Sequence, residues 1–139
     1  MHHAITHAFT TGATETVLIG TDIPDLPATL ITQAFTKLHD HDIVLGPSYD
    51  GGYYLLACTP HTLLPQMFTN IPWSTTNVLP TTLNILTTHH RTVYLLPPWH
   101  DIDTPDDLNR LLHHHEPAFK SSHTITYLTR HPLMETHLK

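Results

Sequence analysis

Four aspartates stand in loops that leave apolar runs, and their residue types suit phosphate and divalent-metal chemistry. Asp22 follows Val17-Leu18-Ile19-Gly20-Thr21 and precedes Ile23-Pro24. Asp50 opens Asp50-Gly51-Gly52-Tyr53-Tyr54, just after Val44-Leu45-Gly46-Pro47-Ser48-Tyr49. Asp101 and Asp103 lie in Trp99-His100-Asp101-Ile102-Asp103-Thr104-Pro105, beyond Tyr94-Leu95-Leu96. In open α/β sheets, ligands bind outside the carboxyl ends of the strands. Three carboxylate-bearing loops therefore point to one shared site. Hard oxygen ligands there suit Mg²⁺ or Mn²⁺ carrying a phosphate.

Each of these residues has a chemical and a structural reading. Asp22 can hold a metal that bridges phosphate oxygens, or bond its own backbone in a turn. Asp50 can receive a proton or bind a hydroxyl, while Gly51 and Gly52 let a substrate approach the backbone. The same tripeptide suits a tight hairpin turn. Tyr53 and Tyr54 alternate, so at most one faces a ligand. Asp101 and Asp103 alternate across an extended segment and are expected on opposite sides, with Asp103 the preferred ligand. Asp25, Asp106 and Asp107 suit the positive ends of helices. Trp73-Ser74-Thr75 stands at an expected helix start, a place for phosphate or hydroxyl binding or for ordinary capping. Among the histidines, His100, beside the acidic loop of Asp101 and Asp103, is the one to watch.

These loops need a scaffold of alternating strands and helices. A helix is expected over residues 3–11, ended by Gly12, then a strand over Thr16–Thr21. Pro27 suits the first turn of a helix bearing Leu30, Ile31, Ala34, Phe35 and Leu38. Strands follow at Asp42–Gly46 and Gly51–Cys58; their short connection forbids a parallel crossover, so they form a hairpin or do not pair directly. Pro60–Trp73 reads as irregular, with Leu63, Leu64, Met67 and Phe68 covering the core. Ser74 or Thr75 is expected to cap a helix running to about His89, followed by a strand at Thr92–Leu96. Thr104-Pro105-Asp106-Asp107 is a strong start for a helix to about His115, with Thr104 as cap and Asp107 completing a capping box. A helical tail over 117–139 would dock through Ile125, Leu128 and Leu133. The pattern predicts a single α/β domain over 1–139 with a largely parallel sheet.

Composition excludes several classes. The chain carries six Lys and Arg against twelve Asp and Glu, with no basic stripe, so nucleic-acid binding by phosphate neutralisation is not expected. Fifteen histidines make the chain strongly cationic below about pH 6. One cysteine, Cys58, rules out an internal disulfide, and its apolar surroundings mark a buried thiol rather than a nucleophile. No apolar run approaches the ~18–20 residues of a membrane span, and the start lacks signal-peptide character. A soluble cytoplasmic domain is the expectation.

Taken in order, GTDIPDL, GPSYDGGYYLL, NIPWST and LPPWHDIDTPDDL resemble one family across about Ala4 to Leu112. It is the small bacterial GT-A-like glycosyltransferases, of the type associated with arsenosugar biosynthesis and with radical-SAM or selenoprotein neighbours. Molybdenum-cofactor and phospholactate nucleotidylyltransferases are related to them. The resemblance implies a nucleotide-diphospho-sugar transferase (GT-A, Rossmann-like) three-layer sandwich with a mainly parallel mixed sheet, using Mg²⁺ or Mn²⁺. It places Asp22 and Asp103 at the metal and nucleotide phosphates, and Asp50, Gly51, Gly52 and Tyr53 toward a small-molecule acceptor. Thr21, Trp73, Ser74, Thr75 and Asp101 join them as expected substrate-binding positions, and Asp50 is the expected catalytic group. The family's opening strand and its Pro-, Gly-, Lys-, Thr- and Arg-containing loop have no counterpart here. The chain is therefore expected to match the C-terminal part of the fold, as a homodimer or with a partner supplying the rest. Glycosyl transfer leads; nucleotidyl transfer and a non-catalytic nucleotide-binding fragment are the alternatives.

Overall fold

The computed structural model describes residues 1–114, 119 and 122–131. Four strands form its sheet: β1 (Thr16–Ile19), β2 (Ile43–Pro47), β3 (Tyr53–Cys58) and β4 (Val93–Leu95), in the order β1-β3-β2-β4. β2 and β3 form the antiparallel hairpin, β1 pairs antiparallel with β3, and β4 pairs parallel with β2. The sheet is thus mixed: β1, β2 and β4 run one way and β3 runs against them. β2 and β3 are almost wholly buried, as continuous apolar central strands covered on both faces must be. β1 and β4 are the edges, with Ile19 and Leu95 exposed.

Helices cover both faces, giving three layers. On one face α2 (Ala28–Lys37) sets Leu30 and Ala34, with Leu38 just beyond it, against Val44 and Ala57. On the other, Ile5 of α1 (His2–Thr10), Leu86 of α3 (Val78–Thr88) and Met67 of a short 3-10 turn (Pro65–Phe68) pack on Ile43, Leu45 and Leu56. As expected, Leu63, Leu64 and Phe68 flank this second core. α4 (Pro105–His114) and α5 (His123–Arg130) form a smaller cluster through Leu111, Ile125 and Leu128. Leu133 and the remainder of the expected tail lie outside the described residues.

Below the sheet, Asp42 clamps β2 to β4. Its Oδ2 accepts from the Thr92 backbone N–H at 2.8 Å and the Thr92 hydroxyl at 2.9 Å. The Thr92 N–H is the main cause holding this carboxyl below its ordinary range.

Two expected helix starts move. Pro27 is the N-cap of α2 rather than a first-turn residue, its ψ of 134° keeping it extended. Neither Ser74 nor Thr75 caps α3, which begins at Val78 after Asn77. Ser74 takes a left-handed φ of 62°, turning the chain before helical geometry sets in. The Leu79 N–H then donates to the Gly51 carbonyl at 2.9 Å, a long-range partner in place of a side-chain cap. At α4 the expected capping box forms: Asp107 Oδ2 accepts from the Thr104 N–H at 2.8 Å, and the Asp107 N–H donates to the Thr104 hydroxyl at 3.3 Å.

Candidate active site

β1, β2 and β4 point their carboxyl ends at one rim, where the loops after them meet a cleft of about 520 Å³. Asp22, Asp50, Gly52, Tyr53, Trp73, Ser74, Thr75, Asp101 and Asp103 all line it, together with Met1, Ser48, Thr76 and Val78. The sequence motifs therefore converge, although 81 positions separate Asp22 from Asp103.

Backbone bonds fix the loop that carries Asp101 and Asp103. The Ile102 N–H donates to the Asp22 carbonyl at 2.9 Å and the Trp99 N–H to the Pro47 carbonyl at 3.0 Å. Ser48 and Trp99 form an isolated parallel bridge, and the Trp99 indole N–H donates to Asp25 Oδ1 at 3.1 Å. Asp25 is thus a loop fastener rather than only a helix-end charge. The Tyr54 hydroxyl donates to the Pro97 carbonyl at 3.0 Å and completes the attachment.

Carboxylate oxygens of Asp50, Asp101 and Asp103 lie within 4.8 Å of one another. This corrects the expectation that Asp101 and Asp103 point to opposite sides. Period-2 alternation belongs to a pleated strand, and residues 101–103 belong to none. Asp22 lines the same cleft but is not part of that group. Burial raises the Asp101 pKa above the usual carboxylate range against the pull of its own backbone hydrogen bond, and Asp50, Asp103 and Asp22 add to the rise. An all-oxygen set with no sulfur or imidazole fits the hard cations Mg²⁺ and Mn²⁺.

Asp50 is held by its own turn: Oδ1 accepts from the buried Ser48 hydroxyl and, at 2.9 Å, from the Gly52 N–H. The hairpin and site readings of this tripeptide are therefore compatible. Gly51 does not line the cleft. It has φ +94° and lies so close to Thr76 that a Cβ would meet its backbone at 2.5 Å. Thr21 also leaves the cleft and borders a separate apolar groove of about 280 Å³ along β1. Tyr53 lines the cleft while Tyr54 turns to Pro97.

Sequence reading missed Ser48, Thr76, Val78 and Met1. Only Ser48 carried a local signal, a hydroxyl two residues before Asp50 in a glycine turn. His100 stacks on exposed Tyr49 with ring centroids 4.0 Å apart, a pairing between distant loops. Burial, then the Arg110 charge, lowers the His100 pKa, against the opposing carboxylates Asp101, Asp107 and Asp25.

Helices on both faces of this mixed sheet, and a carboxylate-bearing cleft at its carboxyl rim, define a Rossmann-like fold of the nucleotide-diphospho-sugar transferase type. A solved structure of a provisionally assigned nucleotide-diphospho-sugar transferase from Desulfovibrio desulfuricans G20 matches with a TM-score of 0.86 and 36% identity. The match covers 92% of this chain and 56% of that one, so this chain spans little more than half the length of that protein. The chain belongs to the family described as "Uncharacterized protein conserved in bacteria" (DUF2064), whose profile matches residues 1–75. No protein of curated function matches. Among the described residues, no helix is long and apolar enough to cross a membrane.

Proposed function

We propose that this chain serves glycosyl transfer from a nucleotide-diphospho-sugar donor to a small-molecule acceptor, with Mg²⁺ or Mn²⁺ held in the cleft. The observation that carries this reading is the convergence of Asp50, Asp101 and Asp103 within 4.8 Å. The likeness to the Desulfovibrio protein supports the donor class.

Asp101 and Asp103 would hold the metal, which when bound neutralises the charge developing on a departing diphosphate. Asp22, at the end of β1, stands on the donor-phosphate side of the cleft. Asp50 has Oδ1 committed to Ser48 and Gly52, which aims the rest of its carboxylate rigidly. In this position it orients the acceptor hydroxyl and accepts its proton as the new glycosidic bond forms. A bound dication would offset the burial, and then the neighbouring carboxylates, that raise the Asp101 pKa.

Isothermal titration of Mn²⁺, then of a panel of nucleotide sugars in its presence, tests the proposal. The parent should bind both, Asp101→Asn and Asp103→Asn should each lose at least tenfold in Mn²⁺ affinity, and Asp107→Asn should bind as the parent does. Equal Mn²⁺ affinity in all four proteins would sink the metal assignment. Mn²⁺ binding with no nucleotide sugar bound would sink the donor assignment.

A further inference from the structure

Part of the cleft lining is aromatic and hydroxyl-bearing: Trp73, Ser74, Thr75 and Thr76, with Thr76 packed against the Asp50 turn at Gly51. Trp73 lines the cleft and is 41% exposed, which leaves its indole open to a ligand there. It is not loosely held. Tyr53 meets it edge-on with centroids 6.4 Å apart, at 68°. Its backbone N–H donates to the carbonyl of buried Ile71 at 2.8 Å, and the Thr75 hydroxyl closes the turn onto the Pro72 carbonyl at 2.7 Å. Ser74 holds a left-handed φ of 62°, a costly conformation for a residue with a Cβ. Ser74 and Thr76 add hydroxyls that make no hydrogen bond among the described residues.

We infer that Trp73 is a stacking shelf for the sugar ring of the donor, a specificity-determining contact that rests on the glycosyl-transfer reading above. A pyranose presents an apolar C–H face and a rim of hydroxyls. The indole face meets the first, and Ser74 and Thr76 meet the second. The carboxylates that line the same cleft take the metal and phosphate end. A nucleobase stacked there would offer its own edge nitrogens and carbonyls to the same hydroxyls, and the nucleoside diphosphate arm of the test separates the two.

The probes are the 1-phosphates of glucose, galactose, mannose and N-acetylglucosamine, compared with inorganic pyrophosphate and with nucleoside diphosphates, all with Mn²⁺. Calorimetry gives affinity and tryptophan emission reports the ring. At least one sugar phosphate should bind and change the emission. Trp73→Ala should weaken it about tenfold, while Trp73→Phe keeps affinity within about threefold and removes most of the emission change. Mn²⁺ and pyrophosphate should bind alike in all three proteins, which separates this inference from the metal assignment. Unchanged sugar-phosphate affinity in Trp73→Ala, or no sugar phosphate binding while Mn²⁺ does bind, overturns the shelf. Loss confined to nucleoside diphosphates overturns the sugar assignment in favour of the base. Failure of Mn²⁺ itself to bind the parent rejects both proposals together. Trp73→Phe controls for folding, since it preserves the contact with Tyr53.

Discussion

Tyr54 passes directly over Gly46, so closely that a Cβ on Gly46 would lie 2.4 Å from the ring. That path brings the Tyr54 hydroxyl to the Pro97 carbonyl and ties the loop bearing Asp101 and Asp103 to the central hairpin. Burial pushes the Tyr54 pKa up to about 12, so the hydroxyl remains a donor across the working pH range. Gly46→Ala should destabilise the protein by about 1–3 kcal/mol through overpacking and should also loosen Mn²⁺ binding. Tyr54→Phe should cost only about 1 kcal/mol. Urea unfolding of the two variants gives the comparison, and a Gly46→Ala protein as stable as the parent would refute the packing relationship.

Gly51 locks the hairpin to the lip of the cleft. With φ +94° and the Thr76 backbone in the way of any Cβ, Gly51→Ala should cost about 2–3 kcal/mol. Gly52→Ala has more room, its nearest atom being the Ser48 hydroxyl at 3.1 Å, and should cost less. Thermal melts that rank the two variants the other way would contradict this account.

Asp101 should trade stability for ligand binding. Its folded pKa is raised, so its contribution is most favourable below the ordinary aspartate pKa and is lost as pH rises through the raised value. At pH 7 without metal, Asp101→Asn should therefore melt about 1–4 °C higher than the parent. The difference should shrink toward pH 4, and added Mn²⁺ should stabilise the parent alone. A variant that melts lower at pH 7 would show that burial does not penalise the charged carboxylate.

Asp107 behaves in the opposite sense. Hydrogen bonding from Thr104, opposed by burial and aided by Arg110 and the Asp103 N–H, holds its carboxyl down at about 2. The stability it lends is present above the ordinary aspartate pKa and disappears as pH falls through about 2. Asp107→Ala should remove the capping box at about 1 kcal/mol while leaving Mn²⁺ affinity intact. Circular dichroism melts at pH 7 and pH 2.5 would show the gap narrowing in acid.

Ile19 is 41% exposed on the outer strand β1, beside the apolar groove lined by Met1, Ala4 and Leu18. We propose that this edge takes a second copy of this chain, since an unpaired apolar edge favours association. Light scattering of the pure chain at micromolar concentration should show more than a monomer, and Ile19→Lys should shift it toward monomer. A monomeric parent would count against the proposal.

What was legible in the sequence follows from how local each signal is. The helix after Thr104 announces itself through Thr104, Pro105 and Asp107, three neighbours that satisfy one another. The buried strands show as apolar runs because both their faces are covered. The start of α3 was misread because its N-terminal N–H groups are met by Gly51, about 28 positions away, as well as by Thr75. The joint facing of Asp101 and Asp103 was hidden for a similar reason. Bonds to Asp22, Pro47 and Asp25 shape that loop, and none has a signature within it. The Tyr49–His100 stack likewise exists only once two loops share a rim.

The Asp42–Thr92 clamp and the buried centre of the sheet lie beneath a rim that carries every carboxylate of the cleft. Rim and scaffold are joined by backbone bonds from Trp99 to Pro47 and from Leu79 to Gly51, by the Tyr54 hydroxyl on Pro97, and by Gly51 packed against Thr76. Because most of these joins are made by backbone groups, cleft side chains that take no part in them can be exchanged without disturbing the layers that fold the chain. Such a division lets a lineage retune what it accepts by small steps, each variant still foldable, with those joins as the fixed hinges of its evolvability.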